Sequence, residues 1–181
     1  MLVLVGPSAS GKSAIVKQLV SNFNMKKFIT CTTRKPRCGE VDGVDYYFFT
    51  EEEFSKKYSN KEFIETVYYN GNYYGTLKSE VADDKVVILE PQGLKYFNES
   101  VPNIFSVFLK TDENLLKDRM LYRGDSVLEM EKRVANDRIL FSEDQLNGVS
   151  LVLDTSSHSI LELAEKIYSY YNQFCINDIA K

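Results

Sequence analysis

The chain is poor in the residues that most often move protons or hold metals. Its 181 residues include one histidine, His158, and three cysteines, Cys31, Cys38 and Cys175. The cysteines are odd in number and have no C-x-x-C spacing, so they do not read as a disulfide framework. With one histidine beside them, a zinc site is a poor reading. A reducing cytoplasm is the expected location. No apolar run reaches the roughly 20 residues that cross a bilayer, so no membrane association is expected. The opening MLVLVGPS is too short for the apolar part of a secretory signal. Positive charge is also scarce: 22 lysines and arginines face 26 aspartates and glutamates, a net charge of −4. That balance argues against a nucleic-acid binder but allows a local basic pocket.

The rest of the composition suits one soluble globular domain, with 44% apolar and 27% charged residues. Short apolar runs at 2–5, 28–31, 85–90, 104–109 and 149–154 read as strands. Helical periods cover 12–23, with Ile15, Val16, Leu19, Val20 and Phe23 on one stripe, and also 112–123, 129–145 and 156–174. Strand and helix alternate at both ends of the chain, which predicts a parallel sheet covered by helices. Between 32 and 76 the pattern changes. DYYFFT (45–50) is strand-like, TEEEF carries a capping-box signal for a helix at 51–58, and Asn70-Gly71 marks a hairpin within 62–76. The fold class is therefore α/β, with a small β-rich subdomain inserted into the sheet core.

One motif carries chemistry by itself. GPSASGKS comprises Gly6, Pro7, Ser8, Ala9, Ser10, Gly11, Lys12 and Ser13, and it fits G-x-x-x-x-G-K-[ST] between a strand and a helix. Such a loop turns N–H groups inward at a helix N-terminus and favours anions. Lys12 is expected at the β- and γ-phosphates of a nucleoside triphosphate, and Ser13 at Mg²⁺. Ala9 fits this loop without strain if its backbone angle is negative. A second basic element, CTTRKPR, holds Arg34 and Arg37 just past the second strand, where ligands gather in parallel sheets. Paired guanidinium donors suit phosphate, although charge alone would leave both as solvated surface arginines.

Beyond that loop, ITCTTRKPRCGEVDGVDYYF, EFIETVYYNGNYYGT, RMLYRGD and EKRV occur in order, and over nearly its whole length the chain resembles guanylate kinase. The resemblance implies a P-loop core (1–31, 77–118 and 136–181), a GMP-binding subdomain (32–76) and a helical lid (119–135). It implies that Arg34, Arg37, Tyr46 and Tyr74 hold the phosphate of GMP. Glu65 would read the guanine donors, with Thr30 and Thr76 near O6. Lid arginines Arg119, Arg123 and Arg133 would approach the transferring group beside Lys12. Tyr47, Tyr68, Tyr69 and Tyr73 are left to aromatic packing.

The implied reaction turns ATP and GMP, or dGMP, into ADP and GDP with Mg²⁺, in a monomer or homodimer. The chain departs from the family pattern at Ile88 and Glu90, where two aspartates are usual. Glu90 is expected to cover part of their work, aimed by Pro91. That departure keeps open a monophosphate kinase of altered base preference. A phosphopeptide-binding module of the same fold is the other alternative.

Overall fold

The computed structural model describes residues 1–37, 39–69 and 71–179. Asn70, half of the anticipated hairpin turn, and Cys38 lie outside the described residues. Five strands form the main sheet: β1 (Leu2–Val5), β2 (Lys26–Lys27), β7 (Lys85–Ile88), β8 (Phe105–Lys110) and β9 (Leu151–Asp154). Their order is β2-β7-β1-β8-β9 and every pair is parallel. All of β1 is buried. Its alternate residues serve opposite faces, as strand geometry requires. Leu2 and Leu4 pack with Ile15 and Leu19 of α1 (Lys12–Asn22) and with Leu163 and Ile167 of α6 (Ile160–Ile179). Val3 and Val5 pack with Leu94 and Phe97 of α3 (Pro91–Ser100). A wholly apolar central strand is what a sheet covered on both faces demands.

Several elements differ from the sequence reading. The strand expected at 28–31 is divided. Lys26–Lys27 joins the main sheet, while β3 (Cys31–Thr32) belongs to a second sheet. Between them Phe28 turns inward, edge-on to Phe97 at 6.0 Å. An apolar run thus marks a buried crossing here. Helix α3 was not foreseen; Pro91 at its first position is the signal that could have found it. The period at 129–145 resolves into α5 (Val127–Leu140) and a separate 3-10 turn, Glu143–Leu146. Helix α6 starts four residues later than expected, because Ser159 and Glu162 cap it reciprocally. On α1, Val20 is 40% exposed and leaves the apolar stripe.

The second sheet has the order β4-β3-β6-β5, from β4 (Tyr47–Phe48), β3, β6 (Asn72–Leu77) and β5 (Phe63–Tyr69). Helix α2 (Glu51–Ser59) covers it and carries the capping box of Thr50 and Glu53 in full. Cys31, Phe54, Phe63 and Leu77 make its own core. The Cys31 thiol donates to the Gly75 carbonyl at 3.0 Å, and burial pushes it up to about 12, far from reactivity. The chain enters this unit near Ile29 and leaves near Glu80, and the Ile29 amide donates to the Glu80 carboxylate at 3.5 Å. A third small cluster joins α4 (Glu113–Tyr122) to α5 through Leu116, Met120, Met130 and Val134, with Ala9 against it.

Gly75 lies between two residues expected at the site. A Cβ there would meet Phe63 at 2.9 Å and Phe54 at 3.2 Å, rings stacked on each other at 4.5 Å. Gly75→Ala should destabilise the protein by about 1–3 kcal/mol through overpacking, read as a lower urea midpoint. An unchanged midpoint would show that the rings can yield.

Candidate functional site: two anion pockets at the sheet's carboxyl edge

The loop Gly6–Ser13 follows β1 and runs into α1, with Gly11 in the left-handed region at φ 98°. A Cβ on Gly6 would strike the Leu109 carbonyl and the Ser10 hydroxyl, each at 3.0 Å, so the close approach of loop to β8 needs glycine. Ala9 sits at φ 61°. The negative angle that would have spared it strain is not adopted, and alanine carries the cost of a left-handed residue. Its methyl is used in the α4–α5 cluster, and its carbonyl accepts from Arg119 at 3.2 Å.

Lys12 curls back over the loop, donating to the carbonyls of Gly6 at 2.6 Å and Pro7 at 2.7 Å. Burial lowers its pKa, while Asp137 and then Glu90 oppose that shift. Arg123 lies near enough to add to the lowering. The Ser8 amide donates to Asp137 of α5 at 2.7 Å. The Ser10 hydroxyl is buried without a partner. Ser13 is exposed in the first turn of α1.

The acceptor side is built by β3 and β6. Thr32 donates its hydroxyl to the Tyr73 carbonyl at 2.9 Å and accepts from the Arg34 amide at 3.1 Å, which fixes the start of the arginine loop. Arg34 makes a two-pronged pair with Glu40, both contacts 2.9 Å. The Arg37 amide also donates to Glu40 at 2.7 Å. Arg34 and then the Arg37 amide hold the Glu40 carboxyl below the ordinary carboxylate range. Arg34 lies over the Tyr46 ring at 5.6 Å, and Tyr46 meets Tyr74 edge-on at 6.3 Å. Glu40 first and Tyr74 behind it hold the Arg34 guanidinium in its charged form. So Arg34, Tyr46 and Tyr74 converge, with Arg37 on the exposed rim.

A cleft of about 210 Å³ lies between the two sheets, lined by Thr30, Glu40, Tyr46 and Ile88 among others. Glu65 stands opposite Thr76 in the β5–β6 register and accepts its hydroxyl hydrogen bond at 2.9 Å. The structure therefore joins Glu65 to Thr76 but places Glu65 on a separate groove with Tyr58, Phe63 and Thr66. Ile88 lends the cleft an apolar wall. Glu90, at φ −83° and ψ 164° before Pro91, is extended as expected and faces solvent.

Of the lid arginines, Arg119 and Arg123 adjoin the loop. Arg133 pairs instead with Asp125 at 3.1 Å. Arg138 is a surface charge paired with Glu113. Tyr47 stacks on Phe49, and Tyr68 packs on Tyr73, as packing roles require.

Sequence reasoning missed Asp137 and Glu80 and did not single out Glu40. Glu40 lay inside a quoted motif; Asp137 and Glu80 gave no pattern at all. Glu80 sits at the exit of the small sheet. It accepts from Tyr47 at 2.9 Å and pairs with Lys85 of β7. It thus ties the small sheet to the main one.

A phosphate-binding loop on a parallel sheet, facing an arginine–tyrosine pocket on a separate small sheet, defines a P-loop kinase with a phosphorylated acceptor. The family model described as guanylate kinase matches residues 1–170. A guanylate kinase of Helicobacter pylori is 35% identical, over 100% of this chain and 94% of its own length. One of Clostridioides difficile is 38% identical over 74% of this chain and 69% of its own. The crystal structure of guanylate kinase from Anaplasma phagocytophilum superposes with a TM-score of 0.68 at 26% identity, covering 96% of this chain and 84% of that one. The chain belongs to the guanylate kinase family.

Burial alone would push the Glu80 carboxyl up; hydrogen bonds from Lys85 and Tyr47 outweigh it, and the group titrates below its ordinary 4.5. A depressed folded pKa gives stability that is present above 4.5 and lost as pH falls through the folded value. Unfolding of wild type and Glu80→Gln across pH should show a wild-type advantage at neutral pH that closes in acid. Parallel curves would remove Glu80 from the coupling of the two sheets.

Proposed function

We propose that this protein transfers the γ-phosphoryl group of ATP to GMP, and to dGMP, giving ADP and GDP. The observation that carries the reading is the Arg34 pocket. A guanidinium lying over Tyr46, itself edge-on to Tyr74, grips a carboxylate with two parallel hydrogen bonds, the geometry with which arginine grips phosphate. In the reaction the GMP phosphate would take the place of Glu40, and Arg37 would close on it from the rim. Residues 32–76 act as the acceptor subdomain and 119–135 as the lid.

Lys12 leaves the Gly6 and Pro7 carbonyls for the β- and γ-oxygens, since ionic donors prefer the charged acceptor. Arg119 and Arg123 reach the same charge from the lid, and Arg133 joins them once released from Asp125. Phosphoryl transfer needs this positioned charge more than proton transfer, because the acceptor oxygen is already ionised. The single histidine is then no handicap: His158 lies in the loop ahead of α6, hydrogen-bonded to Lys166. Lid and subdomain closing together keep water from the transferring group.

The residues fit Mg²⁺ held chiefly by nucleotide and water. Ser13 offers a hydroxyl at the loop's end, and no cluster of three His, Cys, Asp or Glu is found among the described residues. The ion would neutralise phosphate charge when bound. Glu65 would accept from the guanine N1–H and 2-amino group, with Thr76 and Thr30 toward O6. Adenine reverses that pattern and leaves a carboxylate unpaired. None of the assigned groups reads the sugar, which is why dGMP is included. All of them come from one chain, so a monomer suffices. No helix of the described residues is long and apolar enough to cross a membrane, and a cytoplasmic setting suits the free thiols of Cys31 and Cys175.

Lys12→Ala should leave GMP affinity within about twofold while turnover drops about 100-fold or more. Steady-state ADP formation beside GMP titration separates the two, and undiminished turnover would sink the assignment of the loop. Glu65→Ala should cut the preference for GMP over AMP by about tenfold or more. A constant ratio of kcat/KM values would take Glu65 out of base reading.

A further inference from the structure

The Ser8–Asp137 contact has no role in the reaction just described, yet it occupies the loop that the reaction needs. Asp137 is half-buried on α5, 129 residues from Ser8 in sequence, and takes the Ser8 amide at 2.7 Å. That amide belongs to the end of the loop where Lys12 now rests, on Gly6 and Pro7. Lys12 is the group that follows the terminal phosphates, so Asp137 stands where those phosphates arrive. A carboxylate cannot share that place with a polyanion: the two would repel within a few ångströms, in a site partly screened from water.

The surroundings give the carboxylate somewhere to go. Asp137 lines a cavity of about 430 Å³ with Pro7, Lys110, Val134, Arg138 and Phe141. Lys110 adds a cation to that lining, where Arg138 is already paired with Glu113. The element that carries Asp137 also carries Met130 and Val134 of the lid cluster, against which Ala9 packs. Movement of Asp137 and movement of the lid are therefore motions of one helix.

Resting on the kinase reading, we propose that Asp137 is an affinity-setting residue for the nucleotide. It stands in for the terminal phosphates in the empty loop, holds the loop assembled, and must be displaced when ATP binds. Its cost is weaker binding of ATP. Its gain is a competitor that returns to Ser8 as the phosphates leave. Asp137 touches no reacting atom; it acts through the loop amide.

The test is direct binding. Inorganic tripolyphosphate and a non-hydrolysable ATP analogue with Mg²⁺ are titrated calorimetrically into wild type, Asp137→Asn and Asp137→Ala. Loss of the charged acceptor should tighten both ligands about fivefold or more, while GMP affinity stays unchanged. Equal or weaker binding in the variants would overturn the proposal, weaker binding placing Asp137 among groups that support the bound nucleotide. If no folded protein of the set bound either ligand, the loop assignment would fall, and the proposal with it. Hydrogen exchange of the Ser8 amide in the unmutated protein checks the contact without substitution. Protection in the free state that changes on adding tripolyphosphate is expected, and fast exchange in both states would refute it.

Discussion

Two polyanions must be brought within bonding distance by a protein whose own net charge is −4. Coulomb repulsion between donor and acceptor phosphates is the constraint on which the arrangement depends. The chain meets it by concentrating its scarce positive charge. Lys12, Arg119 and Arg123 gather at one pocket and Arg34 and Arg37 at the other, while backbone amides of the loop add fixed partial charge without adding residues. The first pocket sits at the carboxyl edge of the parallel main sheet, where loops are free to converge, and the second on the small mixed sheet. The two sheets are separate, so the charges can be held apart until substrates arrive.

Positive charge gathered in this way destabilises an empty protein, and the chain answers with its own carboxylates. Glu40 lies in the fork of Arg34, and Asp137 on the loop amide beside Lys12. On the readings proposed above, both stand where phosphate oxygens would arrive, and both would withdraw when substrate binds. Pockets filled in this way keep their geometry before the ligand comes. Substrate affinity is then a difference between two anions competing for the same donors, smaller than a count of contacts would suggest.

How much of this the sequence disclosed depended on whether a signal was local. The strand–loop–helix of residues 2–22 was plain, because a wholly apolar run, a glycine-bounded loop and a helical stripe are adjacent. The capping box at Thr50 was equally plain. The divided second strand was not, since Phe28 is apolar for the sake of Phe97, far along the chain, and periodicity cannot tell a buried crossing from a strand. The convergence of Arg34, Tyr46 and Tyr74 came from the family resemblance; spacing alone would have left them solvated or packed. Asp137, Glu80 and the strained angle of Ala9 depend on contacts between distant segments, and no window of sequence holds both partners.

The small sheet enters and leaves the main body at neighbouring points, Ile29 and Glu80, joined by a hydrogen bond. Its acceptor pocket carries its own aromatic core, its own helix and its own cap. It is a self-contained unit inserted at one seam of the main sheet. On the reading proposed above, most of the acceptor contacts fall within this insert, while the cleft beside it is completed by Ile88 of the main sheet. Exchange of that insert would carry most of those contacts with it, and would still have to fit the wall that Ile88 supplies.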